Sequence, residues 1–175
     1  MEEIKRKNSK SIKDIPKEIL DQLNNGELES PNLVEWFAVD QKKMFQNILA
    51  KINRNDYLES ILAYIEALEK QNVNTVNDAI GLGILKKTIK QNDSELLRII
   101  SKHKSDSVKS WATYVIAINS GLKIREKLEQ LTIFSANKYF GVKEICWLAV
   151  RKRAMRTFEK NRNNKKMLNF AVLCC

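Results

Sequence analysis

Lys143, Trp147 and Arg151 stand four residues apart, so on a helix they fall one above another. An exposed Lys-Trp-Arg stripe can hold phosphates with its cations and stack a base or sugar on its indole. A second reading is that Trp147 packs against the next helix, and the local pattern leaves both open. Other chemistry is scarce. The carboxylates on the helical pattern include Asp40, Asp78 and Glu144. A carboxylate at a DNA surface could stabilise oxocarbenium charge or position water; capping or ion pairing would explain each of them equally simply. His103 is the one histidine, and its place in SKHKSD suits a surface residue complementing a helix C-terminus. No Ser/His/Asp arrangement, HExxH or paired metal ligands are present, so no metal or organic cofactor is expected.

The charge is uneven. Residues 138–175 hold ten Lys+Arg against Glu144 and Glu159, whereas residues 1–137 hold 21 against 19. Most of the formal +10 therefore sits in one-fifth of the chain. Lys143, Arg151, Lys152, Arg153 and Arg156 form the centre of this patch. Such a patch attracts polyanions through counterion release, and nucleic acid is the first partner to consider. A solvated helix face with a basic tail is the alternative.

Composition restricts the fold that presents these residues. The 175 residues suit one domain, and 43% hydrophobic residues can form a core. Five Gly and two Pro are too few for a sandwich or barrel, and no glycine-rich phosphate loop is present. The three Cys have no CxxC spacing; Cys146 reads as a small core residue, and Cys174 and Cys175 as free thiols. MEEIKRKNSK has no apolar signal region and no run of 18 apolar residues occurs. The expectation is a reduced, cytoplasmic protein without a membrane span.

Nearly all segments carry helix signals. The spacing predicts helices over 15–24, 31–51, 57–70, 75–91, 94–102, 107–119, 124–136 and 140–158. Ser30-Pro31 reads as a start, Asp56 with Glu59 as a capping box, and Asn74, Asp93 and Asp106 as further caps. Asn24-Asn25-Gly26 and Ser120-Gly121 read as stops. Residues 1–13 are expected as a flexible charged arm, and 14–175 as one domain with its basic part at 138–166.

A faint repeat runs through this pattern. Val76, Val108 and Val142 begin VNDAIGLGIL, VKSWATYVIA and VKEICWLAVR, 32 and 34 residues apart, with a looser copy at Val34. Each copy reads as the second helix of a pair. The expected fold class is therefore all-α, a HEAT-like α-solenoid of stacked antiparallel helix pairs, with a plain helical bundle as the alternative. Val108, Trp111, Ala112, Val115 and Ile116 share one face, which places Trp111 in the core. The aligned core positions in the last copy are Val142, Ile145, Cys146, Ala149 and Val150. Trp147 lies off that stripe and aligns with Gly81 and Thr113, which are expected outside the core face. Arg153, Arg156 and Lys160 would continue the apolar stripe, so the helix must end, bend or leave the stack near Lys152. Met167, Leu168, Phe170, Val172 and Leu173 could form a last half-pair.

The stretches SPNLVEWFAVDQ, SDSVKSWATYVIAIN and FSANKYFGVKEICWLAVRKR resemble the bacterial DNA alkylation repair proteins of the AlkC/AlkD type. That family's pattern F-A-A-D-x-x-F-G-V-R-E-x-A-W-x-A-V-R is matched from Phe134 through Phe140, Gly141, Val142, Lys143, Glu144, Trp147, Ala149 and Val150 to Arg151. The resemblance covers roughly residues 14–155. It implies a C-shaped HEAT-like solenoid that holds duplex DNA by its backbone. It also implies excision of N3- or N7-alkylated purines by hydrolysis of the N-glycosidic bond, as base excision repair by a monomeric DNA glycosylase without a cofactor. On this resemblance the family's basic positions map to Lys143 and Arg151, and its aromatic to Trp147. A glycosylase reading would have Lys143, Arg151, Lys152, Arg153 and Arg156 capture the backbone, Trp147 press on the lesion, and an acid such as Asp78 or Glu144 assist hydrolysis. Two departures stand out: no acid follows Trp111 in WATYVIAIN, and the relatives' later R-F-A-x-E segment has no counterpart before NFAVLCC. The alternative is a non-catalytic HEAT-like scaffold that binds DNA structures or an acidic protein. RNA is a weaker third partner, since no RNP, KH or GXXG pattern occurs.

Overall fold

A computed structural model describes residues 10–136, 142–144, 146, 147 and 151. Among them the regular structure is entirely helical. The helices are α1 (Lys17–Asn24), α2 (Leu33–Ala38), α3 (Gln41–Lys51), α4 (Leu58–Glu66), α5 (Val73–Gln91), α6 (Glu95–Ser101), α7 (Asp106–Ile118) and α8 (Ile124–Ser135). Short 3-10 turns lie at Ile12–Asp14 and Asn55–Tyr57, and residues 142–144, 146, 147 and 151 are helical.

Ser11 and Asp14 cap each other reciprocally, and the Ile12–Asp14 turn packs beside α2. The single helix expected over 31–51 is two. Asp40 ends one and starts the other: its side chain accepts the N–H of Lys43, and its own N–H donates to Asn24 Oδ1 at 2.9 Å. Several caps also shift. Asn32 caps α2 in place of Ser30. Asn72 and Thr75 form the box at α5, and Ser105 precedes α7. Asp56 caps nothing and instead pairs with Arg54 and Lys87. Gly26 closes α1 as expected, at φ +66°, where a side chain would be strained.

α4 packs on α5, α6 on α7, and α5 on α7, with α3 against α1, α4 and α5 and α8 against α7. Consecutive helices thus form pairs whose second members, α5 and α7, meet side by side. The repeat valines Val76, Val108 and Val142 are all buried. Gly81 permits the α5–α7 contact: a Cβ there would lie 2.7 Å from Tyr114 Cβ. Thr113 is fully buried. The positions equivalent to Trp147 in the two earlier copies therefore lie in the packed interior, not outside it as the pattern predicts. Glycine supplies no side chain to reveal burial, and Thr113 satisfies its hydroxyl by donating to Ser110 O at 2.7 Å.

Trp111 occupies the centre, with no solvent exposure. Its ring meets Phe45 edge-on at 5.3 Å and 82°, a geometry contributing about 0.5–1.5 kcal/mol beyond area burial. Its indole N–H donates to Asn77 Oδ1 at 2.9 Å and Gln41 Oε1 at 3.3 Å. Three helices far apart in sequence are joined through one donor.

Candidate nucleic-acid interface

Val142 and Cys146 are buried while Lys143, Trp147 and Arg151 are exposed. One helical stretch thus carries a core stripe on one side and the Lys-Trp-Arg row on the other. Lys143, Trp147 and Arg151 are each helical and stand four residues apart, the spacing that sets side chains along one helix face. Trp147 is 44% exposed, whereas Trp36 and Trp111 are buried. Glu144 is half-buried at the edge of the row, three residues before Trp147 and seven before Arg151, hence on the same side.

No ion pair joins Lys143 or Arg151 to another described residue. Several cations elsewhere are paired. Lys51 meets Glu27 at 2.8 Å, Lys42 meets Glu66 at 3.1 Å, and Arg54 meets Asp93 at 2.7 Å. Arg54 also lies over the Tyr57 ring, as does Lys87. Burial disfavours the Arg54 charge, but its hydrogen bonds to Asp56 and Asp93 outweigh that and raise its pKa.

The sequence-predicted acids lie on different elements. Asp40 is a helix cap. Asp78 is half-buried on α5, away from the row in sequence and held at the first copy of the repeat. Glu144 occupies the corresponding position of the last copy, and it alone accompanies the row. Lys152, Arg153 and Arg156 lie outside the described residues, as do Lys138, Lys160, the 167–173 segment, Cys174 and Cys175.

His103 differs from its expected role. It is half-buried beyond α6, its Nδ1 accepts the N–H of Ser105 at 3.1 Å, and burial with nearby Lys104, Lys109 and Lys51 lowers its pKa to about 4. Neutral imidazole cannot complement a helix dipole as a cation. Burial pushes the Cys146 thiol up to about 12, so it is a protonated core group and not a nucleophile.

Sequence reasoning missed two buried acids, Glu35 in α2 and Asp106. Asp106, which reads as a helix cap, is fully buried at the first residue of α7. Its Oδ1 accepts the N–H of Ser30 at 2.9 Å, and burial raises its pKa to about 6. The pairing ties the loop before α2 to α7 and is structural. Its partner lies 76 residues away, so no local signal marks it. Among the described residues, no group of three or more His, Cys, Asp or Glu could hold a metal, and no helix is long and apolar enough to cross a membrane.

No family model, no curated protein and no solved structure matches this chain. The functional reading therefore rests on the residues of the chain itself.

Proposed function

We propose that the protein binds duplex DNA and is a HEAT-like relative of the alkylation-repair proteins, built as a solenoid of helix pairs. The observation that carries this is the exposed Lys143–Trp147–Arg151 row opposite buried Val142 and Cys146. Two cations without ion-pair partners among the described residues suit backbone phosphates, and the basic segment beyond them adds the charge for counterion release. The packing of α4/α5 and α6/α7, with α5 against α7, supports the solenoid.

If the protein excises N3- or N7-alkylated purines, Glu144 is the acid on the binding face. A cationic purine already has a weakened glycosidic bond. A nearby carboxylate would stabilise the oxocarbenium charge while water adds at the sugar carbon and the neutral base departs. A specific observation favours the non-catalytic reading beside this one. Trp111 is sealed in the core, and no acid follows it in WATYVIAIN, whereas the resembled glycosylases carry one shortly after the tryptophan. DNA binding without base release, or capture of an acidic protein, would follow.

The test is a gel shift and base-release assay on duplexes with and without 7-methylguanine or 3-methyladenine. DNA binding should weaken steeply with salt, and Lys143→Ala and Arg151→Ala should each reduce the slope by about one. Base release abolished by Glu144→Gln would establish the glycosylase. Binding without release would establish the non-catalytic relative, and no binding at low salt would sink the DNA reading.

A further inference from the structure

The Lys143–Trp147–Arg151 row has a feature that backbone binding alone does not require. In the first repeat, the position of Trp147 is Gly81, closed against Tyr114. In the second it is Thr113, fully buried. In the last copy the same register carries the largest side chain, and it is 44% exposed. Exposing an indole forgoes the stabilisation that Trp36 and Trp111 obtain by burial.

Its neighbours narrow what could cover it. Exposed cations lie one turn before and one turn after, neither ion-paired to a described residue, so the complementary occupant presents an aromatic or apolar face between negative charges. A nucleic-acid strand does so wherever a base face is free, because phosphates flank every base. An intact duplex does not: both faces of each internal base are stacked on neighbours, leaving only edges and backbone.

Resting on the reading that this face binds DNA, we propose that the row selects DNA with an open base face, at a single-stranded stretch or a gap, and that Trp147 stacks on that base. Lys143 and Arg151 hold the phosphates on either side. Paired duplex then binds through the cations alone.

Fluorescence tests this directly, since Trp147 is the exposed indole of the three in the chain. Oligo-dT and a duplex with a one-nucleotide gap should quench the emission and protect it from iodide, whereas an intact duplex of equal charge should not. Trp147→Ala should lose roughly five- to a hundredfold in affinity for the first two ligands and little for the intact duplex. Trp147→Phe should recover part of the loss. Circular dichroism would establish that both variants keep the fold. Oligo-dT quenching without the gapped duplex would assign the site to single strands, and the reverse would assign it to interruptions in duplex. Equal affinity for all three DNAs, unchanged by Trp147→Ala, would overturn the stacking proposal and leave duplex binding standing. Absence of binding to every DNA would overturn both. Polyglutamate binding as tightly as oligo-dT, with the same Trp147 dependence, would overturn the proposal in favour of an acidic protein.

Discussion

Trp111 and Trp147 sit on successive copies of one repeat but in opposite environments. Trp111 has no exposure, an edge-on phenyl neighbour and two acceptors for its N–H. Trp147 is open, between two cations that no described carboxylate neutralises. The region around Trp111 uses its indole internally, at its ring and at its N–H, and carries ion pairs such as Lys51–Glu27 on its surface. The region around Trp147 leaves an indole and two charges available. Groups whose interactions are complete stabilise a fold, and groups left incomplete are available to a ligand.

The sharpest way to break this comparison is to truncate both indoles. Trp111→Ala should cost about 3–5 kcal/mol, through the cavity and the stranded acceptors on Asn77 and Gln41. Trp147→Ala should change stability by less than about 0.5 kcal/mol. Urea denaturation measures both, and similar costs would mean that Trp147 belongs to the core.

The next effect concerns Gly81, in the register of Trp147. Gly81→Ala should destabilise by about 1–3 kcal/mol, because the new methyl meets Tyr114 Cβ at 2.7 Å and α7 backbone at 3.2 Å. That exceeds the gain of about 1 kcal/mol that alanine brings to a helix interior. A stabilised Gly81→Ala protein would show that the α5–α7 seam is looser than its geometry.

The last effects are pH-dependent, opposed, and nearly cancel in the intact protein. Asp106 has a folded pKa raised to about 6 against an unfolded value near 3.9, so its ionisation destabilises the fold. Its contribution improves as pH falls from about 6 to 4, by at most about 3 kcal/mol. His103 has a folded pKa lowered to about 4, so its contribution is complete above about 6.5 and is lost on acidification through the same window. Asp106→Asn should therefore become more acid-labile between pH 6 and 4, and His103→Gln should become less so. Thermal unfolding across that window reads both, and identical pH profiles in the two variants would refute the assignment.

Much of the helical content was legible locally. Few glycines and prolines, the stop at Gly26 and the 3.6-residue spacing of Val108, Trp111, Ala112 and Val115 suffice for α7 and its neighbours. The same arithmetic separates Trp147 from Val142 and Cys146, because a 100° step per residue fixes which side chains share a face before any packing occurs. It could not find the break at Asp40, since the helical pattern runs on through Val39 and the decisive bond comes from Asn24. Nor could it bury Gly81, Thr113 and Asp106, or choose acceptors for Trp111.

By itself the sequence determined an all-helical chain, a repeat marked by Val76, Val108 and Val142, and a charge balance gathered at one end. Those are properties of composition and of helical geometry, both local. Only tertiary structure decided that Asp106 would meet Ser30, that Trp111 would join Gln41 to Asn77, and that one register would be closed at Gly81 and Thr113 and open at Trp147. Burial depends on what arrives from elsewhere in the chain, and a position's own neighbours in sequence do not record it.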